Sequence, residues 1–171
     1  MDESNSLLDA IESCLISSGL SEAGLEMVLG LVLGHFRCSA GTIHMLHESS
    51  EMLVLRAAKG VPESVLDRVR LVPIGKGMAG LAAERRQPIQ VCNLQSDQSG
   101  VAKPAARETR MEGCIAVPML IGGRVGGVIG VAKPVSYEFD RSEIERLLQI
   151  GSLIAKQLSR GTRHNPDPPE A

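Results

Sequence analysis

Aromatic side chains are scarce in this chain of 171 residues: tryptophan is absent, and only Phe36, Tyr137 and Phe139 represent the other two types. Proteins that read nucleobases or hold planar chromophores usually stack them on such rings. Single-stranded nucleic acid, flavin and purine ligands are therefore disfavoured. Long apolar runs are missing too. None reaches the roughly 18 residues of a membrane-spanning helix, so no membrane association is expected. The opening MDESNSLLDAIES is acidic and lacks the basic-then-apolar order of a secretory signal. A cytoplasmic location follows as the expectation. No CxxC pair occurs: Cys14, Cys38, Cys92 and Cys114 are scattered. They read most simply as buried free thiols, with redox sensing or pocket lining as the alternatives. His35, Cys38 and His44 cluster loosely, but their spacing fits no standard metal site, and His44 and His47 alternate to opposite faces of a strand.

What is present is an ordinary globular composition, 43% hydrophobic and 22% charged, in a length that suits one domain. Net charge is only −2, but it is unevenly spread. Residues 1–55 carry eight acids against Arg37 alone, and residues 56–110 carry ten Lys/Arg against five acids. A solvated basic face explains this, or a middle segment that favours an anionic small molecule. With no basic helix, the case for direct DNA contact is weak.

Apolar positions Leu7, Leu8, Ile11, Cys14 and Leu15 predict a first helix over 4–18, stopped by Gly19. Ser21 caps a second, with Leu25, Val28, Leu29, Val32, Leu33 and Phe36 as its stripe. Gly30 and Gly34 inside it suggest close approach by another backbone. Residues 41–48 and 51–59 read as a hairpin, 63–68 as a short helix and 69–74 as an extended link. Gly75-Lys76-Gly77 opens a middle helix to about Arg86; it reads as a tightly packed turn or an anion cradle, but not as a Walker loop. A strand at 88–91, a polar loop over 93–106 and one helical turn at 107–111 follow.

Gly113 to Lys133, GCIAVPMLIGGRVGGVIGVAK, is a second hairpin closed at Gly122-Gly123. Asp140 and Glu143 then form a capping box for a last helix. Its Ile144, Leu147, Gly151, Ile154 and Leu158 step alternately by three and four, like a coiled-coil seam. Helices of this kind at both ends predict a homodimer, with packing on the chain's own sheet as the alternative. Gly161 ends the helix, and the proline-rich 161–171 is expected to be disordered. The domain thus spans 1–160.

This order of elements, with its motifs, resembles the GAF domain, a small-molecule sensory module related to PAS. The resemblance rests on Ala40-Gly41-Thr42-Ile43, Lys59-Gly60, the run Ile74 to Gly80, and Pro88 to Val91 with Asn93 and Asp97. Ala116 to Met119, Gly123, Gly127 and Phe139-Asp140 complete it. It implies an α+β fold: a central antiparallel sheet of five to six strands, terminal helices on one face, and short helices and loops over a pocket on the other. It also implies dimerisation through the terminal helices and signalling to an output partner. No output segment follows the last helix, so the expectation is a module that engages a partner protein, or a piece of something longer.

Free methionine-(R)-sulfoxide reductases, a catalytic branch of that family, place a cysteine where this chain has Ala79. Their loop cysteine falls near Arg107, and their acidic substrate ligands near Cys114, Gly130 and Ala132. All are replaced, and a thiolate nucleophile needs both its sulfur and a resolving partner. The cyclic-nucleotide and bilin branches also leave no match. A non-enzymatic role is expected, with no cofactor assigned; a structural dimerisation module and a thiol-based sensor or reductase through Cys92 and Cys114 are the alternatives.

The pocket residues depend on the hairpin register. A plain two-residue turn puts Cys114, Ala116 and Pro118 beside Val131, Ile129 and Gly127. A three-residue loop with left-handed Gly123 puts them beside Ala132, Gly130 and Val128. The second is preferred because it gathers small side chains where a guest needs room. Met78, Cys92, Asn93, Arg107 and Arg110 are expected above them, with Arg107 or Arg110 supplying charge for an anionic ligand.

Overall fold

A computed structural model describes residues 3–162 of the chain. It opens with α1 (Glu3–Ser18) and α2 (Glu22–Phe36), followed by β1 (Ala40–His47) and β2 (Met52–Lys59). Then come α3 (Glu63–Val69), β3 (Leu71–Pro73), α4 (Gly77–Arg85) and β4 (Ile89–Val91). The short α5 (Pro104–Arg107), β5 (Gly113–Ile121), β6 (Arg124–Lys133) and α6 (Arg141–Thr162) complete the order. Six strands form one antiparallel sheet in the order β3-β2-β1-β6-β5-β4. The α+β class and the sheet size agree with the expectation.

Local chemistry sets the helix ends as read. The Ser21 hydroxyl accepts from Gly24 N at 3.1 Å. At α6, Glu143 N donates to Asp140 Oδ1 and Asp140 N to Glu143 Oε2, both at 2.9 Å. Three expectations need correcting. Among the described residues, a Cβ built at Gly34 meets nothing within 4 Å and one at Gly30 meets only the Lys59 side chain, at 3.5 Å, so no backbone approaches either glycine. The helical turn placed at 107–111 forms instead at Pro104–Arg107, where proline occupies a first-turn position with φ already set. Gly161 does not end α6, which continues to Thr162. The rest of the tail read as disordered, 163–171, lies outside the described residues.

The β5–β6 register is the one preferred from sequence, reached by a different device. Gly122 and Gly123 both have positive φ (55° and 76°), closing a two-residue turn that pairs Ile121 with Arg124. The pairing then slips between Met119 and Leu120, leaving Gly126 as an extra, bulged residue. Beyond that point Pro118 faces Val128, Ala116 faces Gly130 and Cys114 faces Ala132. Pairing of β1 with β6 adds Ala40, Thr42 and His44 to the same row.

The alternate residues Ile43, Met45, Ile115, Val117, Met119, Ile129 and Val131 face the other way. With the stripes of α1, α2 and α6 they form the main core. Leu147, Ile150 and Ile154 of α6 are fully buried in it, each contributing about 1.5–3 kcal/mol. The coiled-coil-like seam of α6 therefore lies on the chain's own sheet, mainly on β5. A second, smaller core joins Ala82 and Ala83 of α4 to Leu53, Val72, Ala116 and Val128 on the opposite face.

Candidate functional site

Alternation along β1, β5 and β6 puts small residues on the face opposite the terminal helices. Ala40, Thr42, Cys114, Ala116, Gly130 and Ala132 floor a cavity of about 540 Å³. α4 packs on the sheet through Ala82 and Ala83, with Met78 and Ala79 half-buried against the same cluster, and its first turn forms one wall with Gly77, Met78 and Ala79. Val65, Arg68 and Val69 of α3 form another. The segment 102–106 roofs it, with Thr109 and Met111. The volume falls within the range of small-molecule sites.

Of the residues expected at the pocket, Met78, Cys114, Ala116, Gly130 and Ala132 line the cavity. Five lie elsewhere. Pro118 is buried opposite Val128, where α4 closes onto the sheet. Cys92 is exposed. Asn93 ties down the loop, donating to Ser136 Oγ at 2.8 Å and accepting from Gln95 N at 2.9 Å. Arg107 is exposed and donates to Asp97 O at 2.6 Å. Arg110, in the left-handed region at φ 60°, is exposed too. The cations that do line the cavity are Arg68, Lys76 and Lys103, which the sequence reading missed. Lys76 sits in the Gly-Lys-Gly motif already singled out, and the stripe Val65, Arg68 and Val69 on a short helix was the other available signal.

Arg68 reaches Glu108, the residue after α5, in a two-pronged ion pair, both bonds at 2.9 Å. Among the described residues, no Asp or Glu lines the cavity. The thiol of Cys114 lies 3.0 Å from the Met78 thioether. Burial, with the Asp97 charge adding to it, pushes that thiol up to about 12. Cys38, outside the cavity, is pushed up to about 11, also chiefly by burial. Both are thiols at neutral pH.

His44 is buried in the cavity wall, its Nε2 2.7 Å from Val69 O. A carbonyl only accepts, so Nε2 carries the proton and Nδ1 is an acceptor. That Nδ1 is the only buried side-chain N or O atom without a partner among the described residues. Desolvation lowers the His44 pKa below its usual 6.5, against the opposing effect of the Val69 bond. The unfolded chain takes up this proton near pH 6.5 and the folded protein only at lower pH. The His44 contribution is thus intact above 6.5 and is lost as pH falls toward the folded value, by at most about 1.4 kcal/mol per pH unit. Urea melts between pH 7 and 5 are expected to show this slope, and His44→Gln to flatten it; an equally steep variant would contradict the assignment.

Among the described residues, no helix is long and apolar enough to cross a membrane, and no group of three His, Cys, Asp or Glu could hold a metal ion. A family model described as GAF domain matches residues 20–158. The chain is 25% identical to protein YtsP of Bacillus subtilis (strain 168) over 113 residues, which is 66% of this chain and 64% of that relative's length. The GAF domain of an Acinetobacter phosphoenolpyruvate-protein phosphotransferase superposes with a TM-score of 0.79 at 18% identity, over 98% of this chain and 99% of that one. Free methionine-R-sulfoxide reductase from Neisseria meningitidis, solved with its substrate, superposes at 0.75 with 18% identity, over 96% and 95%. At these identities the two structures show the fold alone.

Proposed function

This chain belongs to the GAF domain family, and from that we propose that it is a non-enzymatic sensory domain of the cytoplasm. It binds a small molecule, acts as a homodimer and passes a signal to a partner protein. The observation that carries this reading is the cavity of about 540 Å³ over a floor of alanine, glycine and threonine. A domain serving only to dimerise gains nothing from small residues there, since filling such a space with methyl groups is stabilising. Native mass spectrometry of the purified protein, searching for a co-purified small molecule, tests the reading.

Gly130→Ile gives a sharper test. A Cβ at Gly130 meets only Thr42 Oγ1 at 3.3 Å and Ile115 O at 3.8 Å, so a side chain grows into the cavity with little resistance. The variant is expected to melt within about 3 °C of the parent, an overpacking change of roughly 1 kcal/mol, and to lose ligand binding. A variant that keeps full affinity would remove the cavity from the function.

Reductase chemistry is the second reading, raised by the structural likeness to methionine-sulfoxide reductase. The cysteines favour the non-enzymatic one. Cys114 is held as a thiol against Met78, and Cys92, exposed, does not line the cavity. No thiolate with a resolving partner faces the space where a substrate would sit.

The homodimer rests on a different surface from the α6 seam, which the sheet occupies. Ile16 of α1 and Met27 and Leu31 of α2 are large apolar side chains left exposed on the helical layer. Sedimentation equilibrium over micromolar concentrations is expected to show a dimer that Ile16→Glu with Leu31→Glu dissociates; a monomer throughout would end this part of the reading.

A further inference from the structure

We propose that residues 95–111 form a lid over the cavity, and that the ion pair between Arg68 and Glu108 is the clasp that keeps it closed. Such a lid governs entry to the site proposed above, and so rests on that reading for its purpose. The segment is fixed at its base and braced within itself. Leu94 is buried, and its N–H donates to Glu112 O at 2.7 Å. Glu112 N in turn donates to Lys133 O at 2.9 Å, and Asn93 holds Ser136 from the same end. Between those points Gln95 Nε2 donates to Arg107 O at 3.1 Å and to Met111 O at 2.8 Å, while Arg107 donates to Asp97 O. A loop tied across its own width in this way moves as one piece about its base.

Its hold on the rest of the protein is slight. None of residues 95–112 is buried, and among the described residues none of their apolar side chains packs against either core. The half-buried Ala102, Ala105 and Ala106 look onto the cavity instead. A segment with so few buried apolar contacts opens at low cost. On the α4 side the stem of Lys103 lies over Gly77, without a hydrogen bond. On the α3 side Arg68 grips Glu108 through two bonds of 2.9 Å. Among the described residues, these are the only hydrogen bonds from 95–111 to a residue outside 93–112. The paired geometry makes the contact specific. Both side chains are about half exposed (50% and 45%), so water and salt compete for each partner and the pair is weak enough to release. A cavity wall and its roof are thus joined by one contact that holds and lets go.

The test uses the intact chain and needs no guest. Cys114, half-buried on the cavity floor, is the reporter, labelled with N-ethylmaleimide and followed cysteine by cysteine by peptide mass spectrometry. Exposed Cys92 calibrates the reagent, and Cys14, buried in the main core, reports unfolding of the whole molecule. Arg68→Gln and Glu108→Gln are each expected to speed labelling of Cys114 about fivefold, the scale of a well-formed exposed pair, with Cys92 and Cys14 unchanged. The double variant should be no faster than either single one, because both remove the same interaction. Salt at about 1 M should speed the parent and leave the variants as they are. Unchanged labelling of Cys114 in both single variants, with melting midpoints showing them folded, overturns the clasp. A parallel rise at Cys14 and Cys114 overturns the lid, since the whole fold has then loosened. Either failure leaves the ligand-binding reading standing, which falls instead if Gly130→Ile keeps full affinity.

Discussion

Gly151→Leu is expected to destabilise the protein by about 3 kcal/mol, the upper end of overpacking costs. α6 crosses β5 at this residue. A Cβ there would stand 3.1 Å from Met119 Cα, 3.2 Å from Met119 Cγ and 3.3 Å from Pro118 O. The first carbon alone is tight, and its neighbours include backbone that cannot turn aside. Three further carbons must push the helix off the strand, separating Leu147 and Ile154 from the core they share with Met119. At roughly 2–4 °C per kcal/mol for a chain of this size, the melting midpoint should fall by about 6–12 °C. The test also asks which way the seam faces. Were it turned toward a second copy, leucine would strengthen the pairing; a variant that melts at or above the parent would sink the packing described for α6.

Lys133→Ala is expected to cost a similar amount for a different reason. Lys133 is almost fully buried, and its ammonium donates to the carbonyl of Phe36 at 2.6 Å, at the end of α2. It also lies 4.1 Å from the centre of the Tyr137 ring and 5.8 Å from that of Phe139. One side chain thus joins the C-terminus of α2, where positive charge is favoured, to the segment leading into α6. Removing it leaves a helix-end carbonyl with only the weak 3.7 Å contact from the Cys38 thiol. That loss is worth about 1–3 kcal/mol, and the cation–ring contacts add about 1 kcal/mol or more. Relief of the desolvated ammonium works in the opposite direction, so about 3 kcal/mol is expected in urea denaturation. Lys133→Met, which keeps the stem but not the charge, should recover part of the loss. If the alanine variant unfolds at the parent's urea concentration, the ammonium is not joining these elements.

How much of this was readable beforehand depends on whether a short-range signal settled the question. The ends of α2 and α6 are written in Ser21 and in the Asp140–Glu143 pair, groups that satisfy amides a few residues away. The cavity floor follows from two-residue alternation once the hairpin is placed. The device that sets the pairing was not legible, because Gly122, Gly123, Gly126 and Gly127 offer several ways to absorb one residue. The roof was harder still. Which way Arg107 and Arg110 point depends on where a four-residue helix begins, and Pro104 starts it three residues earlier than its apolar pattern suggests. The seam on α6 left two partners open for a related reason: a stripe stepping by three and four suits a sheet of the same protomer as well as a neighbouring helix, and the burial of Leu147 and Ile154 in the sheet's core, with the close fit at Gly151, tells them apart.

The odd residue at Gly126 makes the tip of the last two strands tolerant of a change in length. It takes no part in the pairing, so its loss would bring the rungs Leu120 with Val125 and Met119 with Gly127 together as direct neighbours. Every rung beyond, as far as Cys114 beside Ala132, would keep its partner, and the chamber would keep its floor. The surplus residue bends and twists the tip without deciding which side chains face the hollow.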